Sequence, residues 1–392
     1  MKALVCHPGT QHAGKLAAIL KCEGVLGTFF TGFRPKPDSF LARYFRLSGL
    51  RTLDESISKC TTQIRAPEIF AKAAQFLGWS GERVARIRNA WFQKLIPDRA
   101  LTACDAVIGF DTSSWILAKR AKKLGKPFFL DRAAIHRRTR AAIRASVDSG
   151  IAAPADRVQD TIETEEMEDA SRIVVASRFS ESSVREAGIA AEKITVIPYG
   201  VDSDSFAPSE KRDAGAARMV FLFVGLLKKE KGIHTLLAAW SQLAAPGAEL
   251  WLAGSGEADV IESARRVPGV KVFGKLAQQE LRQIYRDADV FVFPTFYDGF
   301  GMVLLEAMSS GLPVIATPNC AAPELIREGE AGVIFPAGDA AALRTAMADA
   351  CANRAAWTQR GAAAREIAKS HSWDAYGKRW AALLREAVEV IA

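Results

Sequence analysis

The chain has 392 residues, room for two ordinary domains, and with 49 % hydrophobic and 24 % charged residues it has a globular balance that excludes disorder. Six cysteines (Cys6, Cys22, Cys60, Cys104, Cys320, Cys351) show no paired spacing, which argues against a zinc site or a disulfide framework, and no apolar run reaches the about 18 residues of a membrane span. The net charge of +8 is uneven: residues 1–145 hold 26 Lys and Arg against 10 Asp and Glu, and the remainder holds 26 against 34. A basic first part favours an anionic partner (an acidic lipid surface, a phosphorylated acceptor or a nucleic acid), unless its charges are simply solvated helix faces.

Lys2 to Cys6 predicts a first strand rather than a signal peptide, so a cytoplasmic protein is expected. The turn from His7 through Gly9 to His12 then feeds a helix from about Gly14 to Cys22. Such a loop sits at the carboxyl edge of an α/β sheet, where ligands bind, so His7 and His12 either touch a ligand or cap the turn. The segment FLARYFRLSGLR (40–51) places Phe40, Leu41, Tyr44, Phe45 and Leu47 at helical spacing with Arg43, Arg46 and Arg51 between them. It reads either as an interfacial membrane helix or as a core helix with snorkelling arginines. Residues 82–99 repeat the pattern with Arg83, Arg86, Arg88, Trp91, Phe92 and Lys94. Strands at Ala106–Gly109 and Pro127–Leu130 flank a helix at Ser114–Leu124, and the alternation predicts a parallel, doubly wound sheet. Asp131, Arg132 and His136 follow. An acidic helix over Thr161–Ala170, a strand at Ile173–Ala176 and a helix over Glu181–Ala187 capped by Ser177 complete this part, and Pro, Gly, Ser and Asp past Pro198 mark a linker.

The pattern restarts with a strand at Met219–Val224, the loop Gly225–Gly232 and a helix from Ile233 to about Leu243. A glycine at a strand end and a lysine at a helix mouth form an electropositive pocket suited to phosphate, although three lysines in one loop also suit solvent. Glu249–Ala253 is the next strand, and its Gly254-Ser255-Gly256 loop is poor evidence for a dinucleotide fingerprint. A strand at Val270–Phe273 and a helix over Leu281–Ala288 lead into VFVFPTFYDGFGMVLLEAMSSGLPVIA (290–316), which reads strand, loop, helix, strand. Gly299 and Gly301 let the backbone approach a ligand, and the loop opens a helix whose unpaired N–H groups suit oxyanions or sugar hydroxyls. Asp298 and Glu306 flank this turn with seven residues between them, carboxylates able to accept hydrogen bonds from a pair of adjacent hydroxyls.

This string resembles the nucleotide-sugar signature of retaining glycosyltransferases of the GT-B fold, family 4, in which two glutamates have seven residues between them around a GFG turn; here Asp298 stands at the first. Lys231-Gly232 matches the family's diphosphate loop, with Leu226 where that loop usually carries arginine and Lys228 or Lys229 as candidates for the missing charge. The resemblance implies an α/β protein of GT-B fold, two Rossmann-like doubly wound parallel-sheet domains facing a cleft. The expected division is residues 1–200, binding the acceptor, and 201–372, binding the nucleotide sugar, with a terminal helix 373–392 packing back on the first. It implies a metal-independent, retaining hexosyltransferase. No cofactor is expected beyond a UDP- or GDP-linked sugar as substrate, and a glycan or lipid-linked acceptor is the expected partner. Asp298, Glu306 and Lys231 are the catalytic candidates. The donor-binding candidates are Gly225, Lys229, Lys231, Gly254, Phe273, Lys275, Gly299, Phe300, Gly301, Met302, Val303 and Glu306; those on the acceptor side are Gly9, His12, Asp131 and His136. Peripheral contact with an anionic membrane stays open, and no nucleic-acid module is recognised. A nucleotide-sugar epimerase or a non-catalytic sugar-nucleotide-binding protein of the same fold are the alternatives.

Overall fold

A computed structural model describes residues 1–9, 11–33, 54–147, 156–208, 218–327 and 329–389. The aromatic and basic segment 40–51 lies outside them. One seven-stranded sheet is built from β1 (Ala3–His7), β2 (Leu26–Thr31), β3 (Thr61–Gln63), β4 (Ala106–Phe110), β5 (Phe128–Arg132), β6 (Arg172–Val175) and β7 (Ile194–Val196), in the order β3-β2-β1-β4-β5-β6-β7. A six-stranded sheet follows from β8 (Met219–Val224), β9 (Ala248–Ala253), β10 (Val270–Gly274), β11 (Val290–Phe293), β12 (Val314–Ala316) and β13 (Gly332–Ile334), in the order β10-β9-β8-β11-β12-β13. Every ladder in both sheets is parallel.

Parallel strands covered by helices on both faces must be apolar throughout, and the run MVFLFV of β8 is buried at all six positions. The same holds for AVIGF in β4, and the two sheets share one hydrophobic cluster that continues through Tyr199, Val201 and Phe206 of the crossing segment. Helix starts follow local chemistry. The Ser177 hydroxyl accepts from the Ser180 N–H to open the helix Arg178–Glu186, and Glu280 reaches back to the Ala277 N–H ahead of Gln278–Asp287. Glu166, buried on the helix Arg157–Asp169, caps a different helix: its carboxylate accepts from the N–H groups of Thr112 and Ser114 and from the Ser114 hydroxyl ahead of Trp115–Lys123. Burial outweighs these bonds and pushes the Glu166 carboxyl up to about 8.

The helix Trp373–Glu389 lies against Ala13–Cys22 of the first sheet, so closely that a Cβ on Gly377 would fall 1.7 Å from the Ile19 side chain. A parallel bridge from Val201 to Ser372 ties the crossing segment to the start of this last helix. In both sheets the strand order reverses at one place, between β1 and β4 and between β8 and β11, and the carboxyl ends of strands at such reversals form the crevice where α/β proteins bind ligands.

Candidate active site between the two sheets

Because β8 and β11 are neighbours, the loops that leave their carboxyl ends lie side by side. The first ends in a 3₁₀ turn, Lys229–Lys231, and Gly232, at φ 73°, caps the helix Ile233–Ser241. The second ends at Gly301, at φ 86°, which caps Met302–Ser309. Two N-termini therefore open at one place. The loops are joined by the Phe296 N–H donating to the Glu230 carbonyl at 2.9 Å and by Lys231, whose Nζ donates to Asp298 Oδ2 at 2.7 Å and to the Tyr297 carbonyl at 3.2 Å. Asp298 is itself held, its Oδ1 accepting from the Phe300 N–H at 3.1 Å. The predicted cation and the predicted acid of the loops thus form one ion pair at the helix mouth, with the Lys231 side chain 17 % exposed.

Glu306 stands on the half-buried face of Met302–Ser309, beside Met302 and Val303, and accepts from the Tyr285 hydroxyl at 3.0 Å. Burial, reinforced by the Glu306 charge, pushes the Tyr285 phenol well up, so this bond keeps its proton on the tyrosine. The Gly225 N–H donates to the Ala253 carbonyl, and Leu227 forms a parallel bridge to Gly256, so the Gly254-Ser255-Gly256 turn braces the lysine loop. Phe273 packs edge-on against Trp251 at 5.3 Å and is exposed with Lys275 at the end of β10, two strands from β8.

On the first-sheet side, His12 begins the helix Ala13–Cys22 without a side-chain cap; its Nε2 instead meets Asp131 Oδ2 of β5 at 2.7 Å. The same oxygen accepts from the Tyr376 hydroxyl at 3.2 Å, so the last helix contributes directly to this cluster. Gly9 stays in the turn, its N–H donating to His7 Nδ1. His136 is buried elsewhere: its N–H donates to the Ser183 hydroxyl, its Nδ1 accepts from the Arg138 N–H, and burial is the main influence lowering its imidazole. His12 and Asp131 are thus brought together, and His136 is built into the helix start behind them.

The two sides meet at Gly299. Its carbonyl accepts from the hydroxyls of Ser177 and Ser180 at 2.6 and 2.8 Å, both buried in the first half of the chain. A Cβ on Gly299 would lie 1.9 Å from the Ala133 carbonyl oxygen, so the contact admits only glycine. An aromatic chain crosses the same junction, from His12 to Tyr199 at 4.7 Å and from Tyr199 to Phe300 at 5.2 Å. Arg144, on the helix Arg137–Val147, adds a third tie by donating to the Tyr297 hydroxyl at 2.8 Å and to Glu230 at 3.0 Å. Sequence reading saw Ser177 only as a cap and gave no role to Ser180, Tyr199, Tyr376 or Arg144, which act across long separations that no local spacing reveals.

Residues 218–353, which contain the lysine loop, Asp298 and Glu306, match the family model for glycosyl transferases group 1. This segment belongs to that family. The sulfoquinovosyl transferase SQD2 of Arabidopsis thaliana is 30 % identical over 216 residues, 52 % of this chain and 42 % of the relative. The glycogen synthase of Mycobacterium tuberculosis strain H37Rv is 31 % identical over 204 residues, 50 % of this chain and 49 % of the relative. The chain spans about half the length of these curated relatives. Solved structures match throughout: sucrose-phosphate synthase from Thermosynechococcus elongatus at TM-score 0.69 and 21 % identity over 100 % of both chains, and Anabaena HepE in complex with UDP at 0.70 and 17 % over 98 % and 100 %. The fold is GT-B, as the group 1 signature implies.

Proposed function

We propose that this protein is a retaining, metal-independent glycosyltransferase that moves a hexosyl unit from a nucleotide-diphosphate sugar to a glycan or lipid-linked acceptor. The observation that carries the reading is the Lys231–Asp298 pair at the mouth of Ile233–Ser241, set against the first-sheet contact at Gly299. In such a reaction the anomeric carbon loses its bond to the diphosphate and gains one to an acceptor hydroxyl, whose proton is taken up by the departing diphosphate. Negative charge grows on the leaving diphosphate while positive charge grows on the sugar. Lys231 and the N–H groups of two helix starts meet the first, and Asp298 stands where it can meet the second. Glu306 accepts from ribose hydroxyls. Asp131 and His12 face the acceptor. Because the HepE structures hold UDP and UDP-glucose, uridine nucleotides are the first to try.

The test is a thermal-shift screen against UDP, GDP, ADP and their sugar conjugates without added metal. One nucleotide is expected to stabilise selectively; at about 100 times its dissociation constant the gain is roughly 2.7 kcal/mol. NMR of the product's anomeric proton then reads retention. No shift with any nucleotide would remove the donor site. Turnover of the nucleotide sugar alone to an isomer would favour the epimerase, and binding without turnover would favour the non-catalytic reading.

A specific surface supports peripheral membrane contact. The helices Ala66–Phe76 and Gly81–Leu95 form a hairpin whose tip exposes Phe76, Leu77 and Trp79, at 92 %, 72 % and 44 %. Arg83 lies over the Trp79 ring at 5.4 Å. By contrast, Phe92 is fully buried, while Arg86 pairs with Asp156 and Arg88 with Glu68, so the surface reading of 82–99 shifts to this tip. Apolar tips beside cations insert at anionic interfaces. The protein is expected to float with phosphatidylglycerol vesicles and not with phosphatidylcholine vesicles, and Phe76→Ser, Leu77→Ser and Trp79→Ser together should release it. Equal flotation of the triple variant would end this assignment. Among the described residues no helix is long and apolar enough to cross a membrane.

A further inference from the structure

The donor chemistry leaves unused a cavity of about 340 Å³ at the carboxyl ends of β4 and β5, lined by Asp111, Trp115, Arg132 and Gln159 among others. Arg132 is 2 % exposed. One of its terminal nitrogens, Nη2, is satisfied by Glu163 and by the Ile135 carbonyl, while Nε and Nη1 have no partner. Asp111 is also buried, and its Oδ1 has none. Buried polar groups are almost always paired, and a charged one left unpaired is costly, so two donors and one acceptor left open beside a cavity mark a place completed by a ligand.

The balance of groups specifies that ligand. Arg86, Arg132 and Arg140 are matched by Glu82, Asp111 and Glu163, so the lining carries no formal net charge and an anion gains little from it. The open groups instead require a molecule that both donates and accepts, as a hydroxyl does. The half-buried indole of Trp115 supplies an apolar wall, and the volume is at the small end of the roughly 300–1,000 Å³ usual for ligand cavities. The place fits the reaction as well. Ala134 lines the cavity, and its neighbour Ala133 is the residue pressed against Gly299. Arg140 lies on Arg137–Val147, the helix whose Arg144 reaches the donor loops.

We propose that this cavity is a saccharide subsite that seats an uncharged, hydroxyl-bearing sugar ring of the acceptor, with one hydroxyl donating to Asp111 Oδ1 and neighbouring oxygens accepting from Arg132 Nε and Nη1. Its assignment to an acceptor rests on the glycosyl-transfer reading; the binding of a ring does not. The experiment is saturation-transfer NMR on the full chain with methyl glucoside, galactoside and mannoside, and with glucuronate and inorganic phosphate as charged probes. At least one neutral glycoside is expected to show ring-proton transfer, with affinity falling at least about tenfold in Asp111→Ala and in Trp115→Ala. Both variants should melt cooperatively and keep the nucleotide-induced shift, which shows that they fold, with Asp111→Ala melting lower because it leaves buried Arg132 without a facing carboxylate. Glycosides that fail to bind, glycosides that bind both variants as they bind wild type, or binding confined to glucuronate or phosphate would overturn the subsite. A missing nucleotide shift with intact glycoside binding would instead remove the transfer reading and leave the subsite standing.

Discussion

Replacing Lys231 by methionine is expected to lower kcat/KM for the nucleotide sugar by about 10³-fold, on the order of 4 kcal/mol of transition-state stabilisation. Methionine keeps an unbranched stem but removes the charge that lies over the Phe293 and Tyr297 rings at the mouth of Ile233–Ser241. That charge now sits on Asp298 at 2.7 Å, so an arriving diphosphate must share or displace the carboxylate. This arrangement makes the partner variant informative. Asp298→Asn keeps an oxygen for the Phe300 N–H and removes a negative charge that repels the diphosphate. Nucleoside diphosphate should bind Asp298→Asn as tightly as wild type or several-fold tighter, while transfer falls. Steady-state kinetics with titration calorimetry separate the two effects. Full activity in a folded Lys231→Met protein would refute the role given to the lysine, and weakened diphosphate binding in Asp298→Asn would refute the competition.

Gly299→Ala is expected to lower transfer by about 10²-fold or more while leaving nucleotide binding nearly intact. The added methyl would lie 1.9 Å from the Ala133 carbonyl, which is backbone on both sides and has no side chain to swing away. The relief available is to move the β11 loop off the first half of the chain, stretching the bonds from Ser177 and Ser180 to the Gly299 carbonyl. A displacement near 1 Å between reacting groups costs on the order of 10²-fold in rate. The lysine loop is bonded to the β11 loop, and Glu306 lies on the helix that follows it, so these groups can move as one unit and the UDP-induced thermal shift should persist. Loss of both nucleotide binding and transfer would show that Gly299 serves the donor loop itself rather than its apposition to the first half. Retention of full transfer would show that the contact is dispensable.

The fold was legible because its signals are local. Runs such as MVFLFV and VFVF, separated by helical periodicity, specify buried parallel strands, and the observed β8 and β11 coincide with them. Strand ends elsewhere moved by a residue or two, as with β5, which runs on through Asp131 and Arg132 where the apolar pattern stops at Leu130. The extension has a physical reason: both polar side chains are buried, one bonded by His12 and Tyr376 and the other by Glu163, so hydrophobicity no longer marks the end of the strand. The helix Arg137–Val147 has no mark in the sequence. It buries no residue, so it carries no apolar stripe to follow.

What the sequence determined by itself is the pair of loop-to-helix turns that follow β8 and β11. Lys231 with Gly232, and Asp298 through Glu306, each lie in one short loop-to-helix segment, where glycine at positive φ and the helix start that follows are fixed by neighbours a few residues away. Only the tertiary structure decided that Lys231 and Asp298 pair, because their 67-residue separation is closed by β8 and β11 lying side by side. The same holds for the first half of the chain. His12, Asp131 and Tyr376 are 119 and 245 residues apart along their bonds, and no spacing rule joins them; the winding of one parallel sheet and a helix returning from the end of the chain do. Local backbone chemistry writes a glycine turn and the helix start after it into a dozen residues, whereas a cluster held by packing exists only once the sheet has formed.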